Sequence, residues 1–120
     1  MQKEPRETLA LLLLTLSEGE IYMRRGSTPT NTFDVDIDLR QATVYVSYEQ
    51  NGKVVVEKTG DDLTVEEDEI TVKLSQEDTL AFKTGMVDIQ IRYVFPFTGD
   101  ADASNIIRTE AKRILKDGVI

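Results

Sequence analysis

The stretch from Ala42 to Thr59 restricts the fold of this chain more than any other. Val44, Val46 and Tyr48 alternate with Thr43, Tyr45 and Ser47, the period of a strand with one face buried. Asn51-Gly52 follows, a pair that tolerates positive φ and closes a two-residue hairpin, and Lys53 to Lys58 returns with Val54, Val55 and Val56 in succession. An alternating stretch, a two-residue turn and a valine-rich return predict an antiparallel hairpin at the centre of the fold.

The same alternation recurs along the chain. Phe33, Val35, Ile37 and Leu39 face one way and Asp34, Asp36 and Asp38 the other, predicting a half-buried strand over Phe33–Leu39. After a turn at Gly60-Asp61-Asp62, Leu63–Val65 reads as a short edge strand, Glu66–Glu69 as a solvated connection, and Ile70–Leu74 as its returning partner. From Met86 to Phe95 the pattern is cleanest, with Val87, Ile89, Ile91, Tyr93 and Phe95 on one face, and Pro96 and Thr98-Gly99-Asp100 end it. Between the last two strands, Ser75-Gln76-Glu77-Asp78 has the spacing of a capping box, and Leu80-Ala81-Phe82 then leads to Gly85. That predicts a single helical turn crossing one end of the sheets.

The two ends are less regular. Leu9, Leu12, Leu13 and Leu16 make an apolar helical stripe that spills onto other faces, so residues 1–22 read as a helical or mobile extension packed on the domain or on a neighbouring subunit. Glu18-Gly19-Glu20 is encodable by a purine-rich ribosome-recruitment sequence upstream of Met23, which makes Met23 the expected physiological start. Peptides from Glu7 to Arg24 in the natural protein would refute that. At the other end, Ile107, Thr109, Ala111, Arg113 and Leu115 permit a strand, while Ala103, Ile107, Ala111, Ile114 and Leu115 permit a helix.

Composition narrows the function classes. At 120 residues the chain has room for one core. It contains neither cysteine nor histidine, so disulfides, thiolate zinc sites, cysteine nucleophiles and imidazole bases are absent. The formal charge of −8 arises from 22 acidic against 14 basic residues with no basic run, which disfavours nucleic acid as a partner. No apolar run approaches the ~20 residues of a membrane span. Asp34, Asp36 and Asp38 have the spacing that opens a calcium loop, but Leu39 stands where the loop needs glycine and Tyr45 where it needs glutamate. Tyr45, Tyr48 and Lys53 could move protons, yet no spacing orients them as a set. The expectation is therefore a non-enzymatic domain with no catalytic residue, no metal and no cofactor.

Three strings carry a resemblance: Met23-Arg24-Arg25-Gly26-Ser27-Thr28-Pro29-Thr30, Glu49-Gln50-Asn51-Gly52-Lys53 and Leu74-Ser75-Gln76-Glu77-Asp78-Thr79. Together they resemble small tail-associated proteins of phages and prophages in Gram-positive gut bacteria. More distantly they resemble the immunoglobulin-like N-terminal domain of the upper baseplate protein. The resemblance covers Met23 to Ile120. It implies an all-β, immunoglobulin-like antiparallel β-sandwich over residues 23–120, with one short crossing helix and a terminal strand. It also implies a virion component, assembled in the bacterial cytoplasm, whose partners are other tail or baseplate proteins or further copies of itself. Gly26, Pro29, Asn51, Gly52, Ser75, Asp78 and Gly99 are the expected fold-specifying turn residues. The alternative expectation is a host-surface or carbohydrate-binding β-sandwich.

Overall fold

The computed structural model describes Thr15–Leu16 and residues 22–120. Its strands are β1 (Thr15–Leu16), β2 (Tyr22–Arg24), β3 (Thr30–Asp34), β4 (Thr43–Gln50), β5 (Lys53–Thr59), β6 (Leu63–Val65), β7 (Glu69–Lys73), β8 (Gly85–Phe95), β9 (Asp100–Ala103) and β10 (Ile107–Lys112). One short helix, α1 (Gln76–Leu80), connects β7 to β8. The smaller sheet runs β1-β3-β7-β6 and the larger β2-β10-β8-β4-β5, with β9 also paired to β8. This is an immunoglobulin-like β-sandwich. Every pairing is antiparallel except that of β2 with β10, which is parallel.

The hairpin β4–β5 closes through Asn51 and Gly52, whose φ values of +53° and +79° give the left-handed turn that matches strand twist. A bulge lies where the register slips past Val55, so Val56 rather than Val55 stands opposite Tyr48. Three valines in a row tolerate that slip, because each is acceptable on either face. Between the sheets lie Val44, Val46 and Tyr48 from β4, Ile89, Ile91 and Tyr93 from β8, and Phe33, Ile70 and Val72 from the smaller sheet. Burial of each such side chain contributes about 1.5–3 kcal/mol before chain entropy is counted. A polar bond crosses this layer: the Tyr48 hydroxyl donates to Asn31 Oδ1 at 2.7 Å, with both residues buried.

The end of the sandwich is closed by α1. The Ser75 hydroxyl accepts from the Asp78 amide at 3.0 Å while the Asp78 carboxylate accepts from the Ser75 amide at 2.9 Å, a complete capping box. Arg25 donates to the carbonyls of Leu80 and Phe82 beyond the last turn, where unsatisfied carbonyls need donors. Gln50 holds Lys83 through both atoms of its amide, at 2.7 and 2.8 Å. Lys58 lies on the inner side of β5, opposite Val46, and reaches Asp78 at 2.9 Å. Burial pushes the Asp78 carboxyl up, but hydrogen bonds from Ser75 and the Lys58 ammonium outweigh it and hold the group below its ordinary value.

Four expectations need correction. Thr15 and Leu16 are extended and pair with Asp34 and Phe33 rather than forming helix, and the remainder of the expected N-terminal helix lies outside the described residues. Tyr22 belongs to β2, so the sandwich does not begin at Met23. The expected Phe33–Leu39 strand is instead Thr30–Asp34. Val35 and Leu39 are still buried, but the ladder ends at Asp34, and four residues on Asp38 accepts from the backbone of Arg40 in a side-chain-stabilised turn. Finally, the terminal strand covers Ile107–Lys112 and does not run on to Leu115, which is exposed, and the short β9 precedes it.

Candidate functional site

Because Val44, Val46 and Tyr48 point into the core, Tyr45, Ser47 and Glu49 point outward from β4. The same parity on β8 turns Met86, Asp88, Gln90 and Arg92 outward. Register sets Tyr45 beside Arg92, Ser47 beside Gln90 and Glu49 beside Asp88. On one flank Glu57 lies beside Ser47 and Val54 beside Glu49. On the other, Arg108 lies beside Asp88 and Glu110 between Met86 and Tyr22. Tyr22, Tyr45, Val54 and Met86 are therefore exposed apolar side chains on one surface, the outer face of the larger sheet.

A hollow of about 640 Å³ opens on this face, lined among others by Tyr45, Ser47, Glu57, Gln90, Arg92 and Ile106. Short Ser47 and Ala101 among longer neighbours leave the space. Ile106 is placed there by the break between β9 and β10. Ser104 is buried and bonds both backbone groups of Ile91, its amide donating to the carbonyl at 2.8 Å and its hydroxyl accepting from the amide at 3.0 Å. The Gln90 amide donates to the Ser104 carbonyl at 2.8 Å. With the strand interrupted at Ser104, Ile106 is left exposed beside the hollow instead of entering the core.

Charge on the face is organised by strand. Arg108 donates to Asp88 at 2.7 Å, and that carboxylate raises the Arg108 pKa further. The Tyr22 ring carries the Arg24 guanidinium 5.9 Å and the Lys112 ammonium 5.4 Å from its centroid. Among the described residues, Glu49, Glu57 and Arg92 have no ion-pair partner within the chain. The outer face of the smaller sheet differs: Thr32, Thr64 and Thr71 share one row across it, and none of its described residues is an exposed large hydrophobic.

No protein-family model and no curated protein matches the chain. Among solved structures it is similar to the fibronectin(III)-like modules of Clostridium thermocellum CbhA. The identity is 12%, the match covers 87% of this chain and 100% of that chain, and the TM-score is 0.43.

The turn residues singled out from the sequence lie away from the hollow. Gly26, Pro29, Ser75 and Asp78 meet at the α1 end. There the Pro29 carbonyl accepts from the Leu74 amide at 3.0 Å and the Thr79 hydroxyl donates to the Ser27 carbonyl at 2.8 Å. Gly26 has φ +79°, and a Cβ there would lie 3.2 Å from Ile114 Cδ1. Asn51 and Gly52 form the hairpin tip, and Gly99 donates to the Phe95 carbonyl in the turn after β8. Tyr45 and Tyr48 occupy opposite faces of β4, so the three groups weighed for proton transfer do not converge. Asp38 is bound by Arg40, whose guanidinium and amide lower its pKa to about 2. Among the described residues no group of three carboxylates could hold a metal ion.

Proposed function

We propose that this domain is a non-enzymatic structural or adaptor component of a phage or prophage tail or baseplate. It would be assembled in the bacterial cytoplasm and carried in the virion. Its setting rests on the resemblance of the three turn strings. The observation that carries the mode of action is the gathering of Tyr22, Tyr45, Val54, Met86 and Ile106 on one outer face, while the opposite face presents threonines. Apolar side chains exposed together on one rigid face, with charges between them, suit docking onto another protein. Crosslinking in intact particles, followed by peptide identification, tests the reading. Crosslinks from β4, β5 or β8 to tail proteins support it, and absence of the chain from purified particles overturns it.

A second reading is favoured by the hollow itself. Its volume falls in the range of small-ligand sites, and Tyr45 beside Ser47, Gln90 and Arg92 combines an aromatic face with polar groups, as a glycan requires. Saturable glycan binding that is lost in Tyr45→Ala would favour this reading over attachment.

A further inference from the structure

We infer that copies of this chain dock end to end, the turn that carries Phe97 on one copy seating against the α1 end of the next. The contact leaves the outer face of the larger sheet free for a different partner, so it goes beyond the assembly reading above and does not depend on it.

The two ends of the sandwich carry opposite charge. At one end Lys53 stands opposite Gln50, Gly85 opposite Ala111 and Arg24 opposite Lys112, and Gln50 bonds Lys83. Residues 24–28, 51–53, 73–84 and 110–120 therefore gather at the α1 end, with eight basic and four acidic side chains. At the other end Asp34 lies opposite Glu69, and the Asp68 carbonyl accepts from the Val35 amide at 3.0 Å. There too Thr43 lies opposite Val94, and Phe95 opposite Asp100. Residues 34–42, 66–69 and 95–100 gather at this far end, with eight acidic side chains and one basic. The eleven residues of β8 separate the ends by ~34 Å, about four Debye lengths at physiological salt. Each end is thus felt through its own charges and not through the net −8 of the chain, and unlike ends attract while like ends repel.

Apolar side chains stand in the middle of both ends. Among the described residues the three most exposed large hydrophobics are Phe97 at 103%, Leu115 at 90% and Ile120 at 83%. Phe97 lies at the acidic end, in a turn that projects past the start of β4. The Phe95 carbonyl accepts from the amides of Thr98 and Gly99 at 3.2 and 2.7 Å, and the Thr98 hydroxyl accepts from the Asp100 amide at 3.1 Å. The turn is therefore fixed, and it holds out a ring that the fold does not use. Leu115 and Ile120 lie at the basic end in a segment that is also pinned. Arg25 pairs with Asp117 at 3.5 Å, and the Gln76 amide donates to the Ile120 carbonyl at 3.2 Å and accepts from its amide at 2.9 Å. Between this segment and α1 a hollow of about 480 Å³ opens, lined among others by Lys58, Lys73, Leu74 and Val119. A pre-formed aromatic anchor, a receptacle with apolar walls and a rim of opposite charge are the parts of a docking contact.

Surfaces that differ in this way form a heterologous contact, which leaves one free end of each kind and continues into a chain or a ring. A section five strands wide at ~4.8 Å, with two sheets ~10 Å apart and their outer side chains, offers about 500 Å² per copy. That is the low end for specific contacts, so each junction is weak and association is seen at high concentration.

The test is the solution mass of the full chain by sedimentation from about 1 to 500 µM, for wild type, Phe97→Ser, the double variant Leu115→Ser/Val119→Ser and an equimolar mixture of the two variants. The wild type is expected to grow past a dimer as concentration rises, and less so as salt rises. Each variant alone is expected to associate about tenfold or more weakly, because every junction needs both surfaces. The mixture is expected to form a pair and stop there. The intact α1 end of Phe97→Ser meets the intact tip of the double variant, and the two ends left over are both impaired. All three side chains are exposed, so both variants should melt with the wild type. A wild type that stays monomeric throughout, growth that ends at a dimer, or a mixture no heavier than its parts overturns the inference. A monomeric wild type whose Phe97 turn crosslinks to a different protein in intact particles also overturns it and leaves the assembly reading standing. End-to-end growth of a chain absent from particles does the reverse.

Discussion

Replacing Tyr48 by phenylalanine tests a polar bond that joins the two sheets through the core. The ring keeps its place, tilted against Phe82 with centroids 5.9 Å apart, so no cavity forms and the transfer of apolar surface is unchanged. What disappears is a 2.7 Å bond from a residue with 0% exposure to Asn31, which is 2% exposed. A net hydrogen bond between buried groups is worth about 1 kcal/mol. The expected loss is therefore about 1 kcal/mol, a drop in Tm of roughly 4 °C for a domain of this size. Truncation to alanine, which also removes the ring, should cost about 3–5 kcal/mol. Urea denaturation of wild type, Tyr48→Phe, Asn31→Leu and the double variant completes the cycle. The double variant should lose about 1 kcal/mol less than the sum of the singles. A Tyr48→Phe protein as stable as wild type, or two strictly additive losses, would refute the view that this bond ties the sheets together.

Thr109 is 2% exposed and its hydroxyl has no hydrogen-bond partner among the described residues, so Thr109→Val should stabilise the domain by about 1 kcal/mol in thermal or urea melts. Asp78 titrates below its unfolded value, so its contribution is present above about pH 4 and fades as pH falls through the folded value. Asp78→Asn should accordingly cost about 1 kcal/mol at pH 7, with the gap to wild type narrowing in acid. A gap independent of pH from 7 down to about 3 contradicts that assignment. Gly52→Ala should cost about 1 kcal/mol in urea denaturation, because φ +79° is strained for any residue bearing a Cβ.

The immunoglobulin-like sandwich was legible in the sequence where periodicity was local. Alternation over β4 and β8 marked the two central strands of the larger sheet, Asn51-Gly52 marked the hairpin, and Ser75 with Asp78 marked the start of α1. Strands of two and three residues have no period to read, so β1 was hidden behind a leucine run with strong helical propensity. The parallel docking of β2 on β10 depends on partners almost ninety residues away. The split between β9 and β10 was equally opaque, because it is fixed by Ser104 bonding Ile91 and by Gln90 holding Ser104.

The outer face escaped notice for a related reason. Tyr22, Tyr45, Val54, Met86 and Ile106 come from five separate segments and become neighbours only through register. Two local signals did point to it. Val54-Val55-Val56 cannot all face inward in a strand, and Met86 precedes Val87 on the side of β8 that should be polar.

Lys58 has a consequence for the edge of the sheet on which it stands. β5 is the outermost strand of its sheet and offers free backbone groups to any passing chain. A second strand added there would have to drag an ammonium group out of its contact with Asp78 or seal it in oil, and the kink past Val55 spoils the straight track such growth needs. The β5 edge is thereby a poor template for the addition of a further strand.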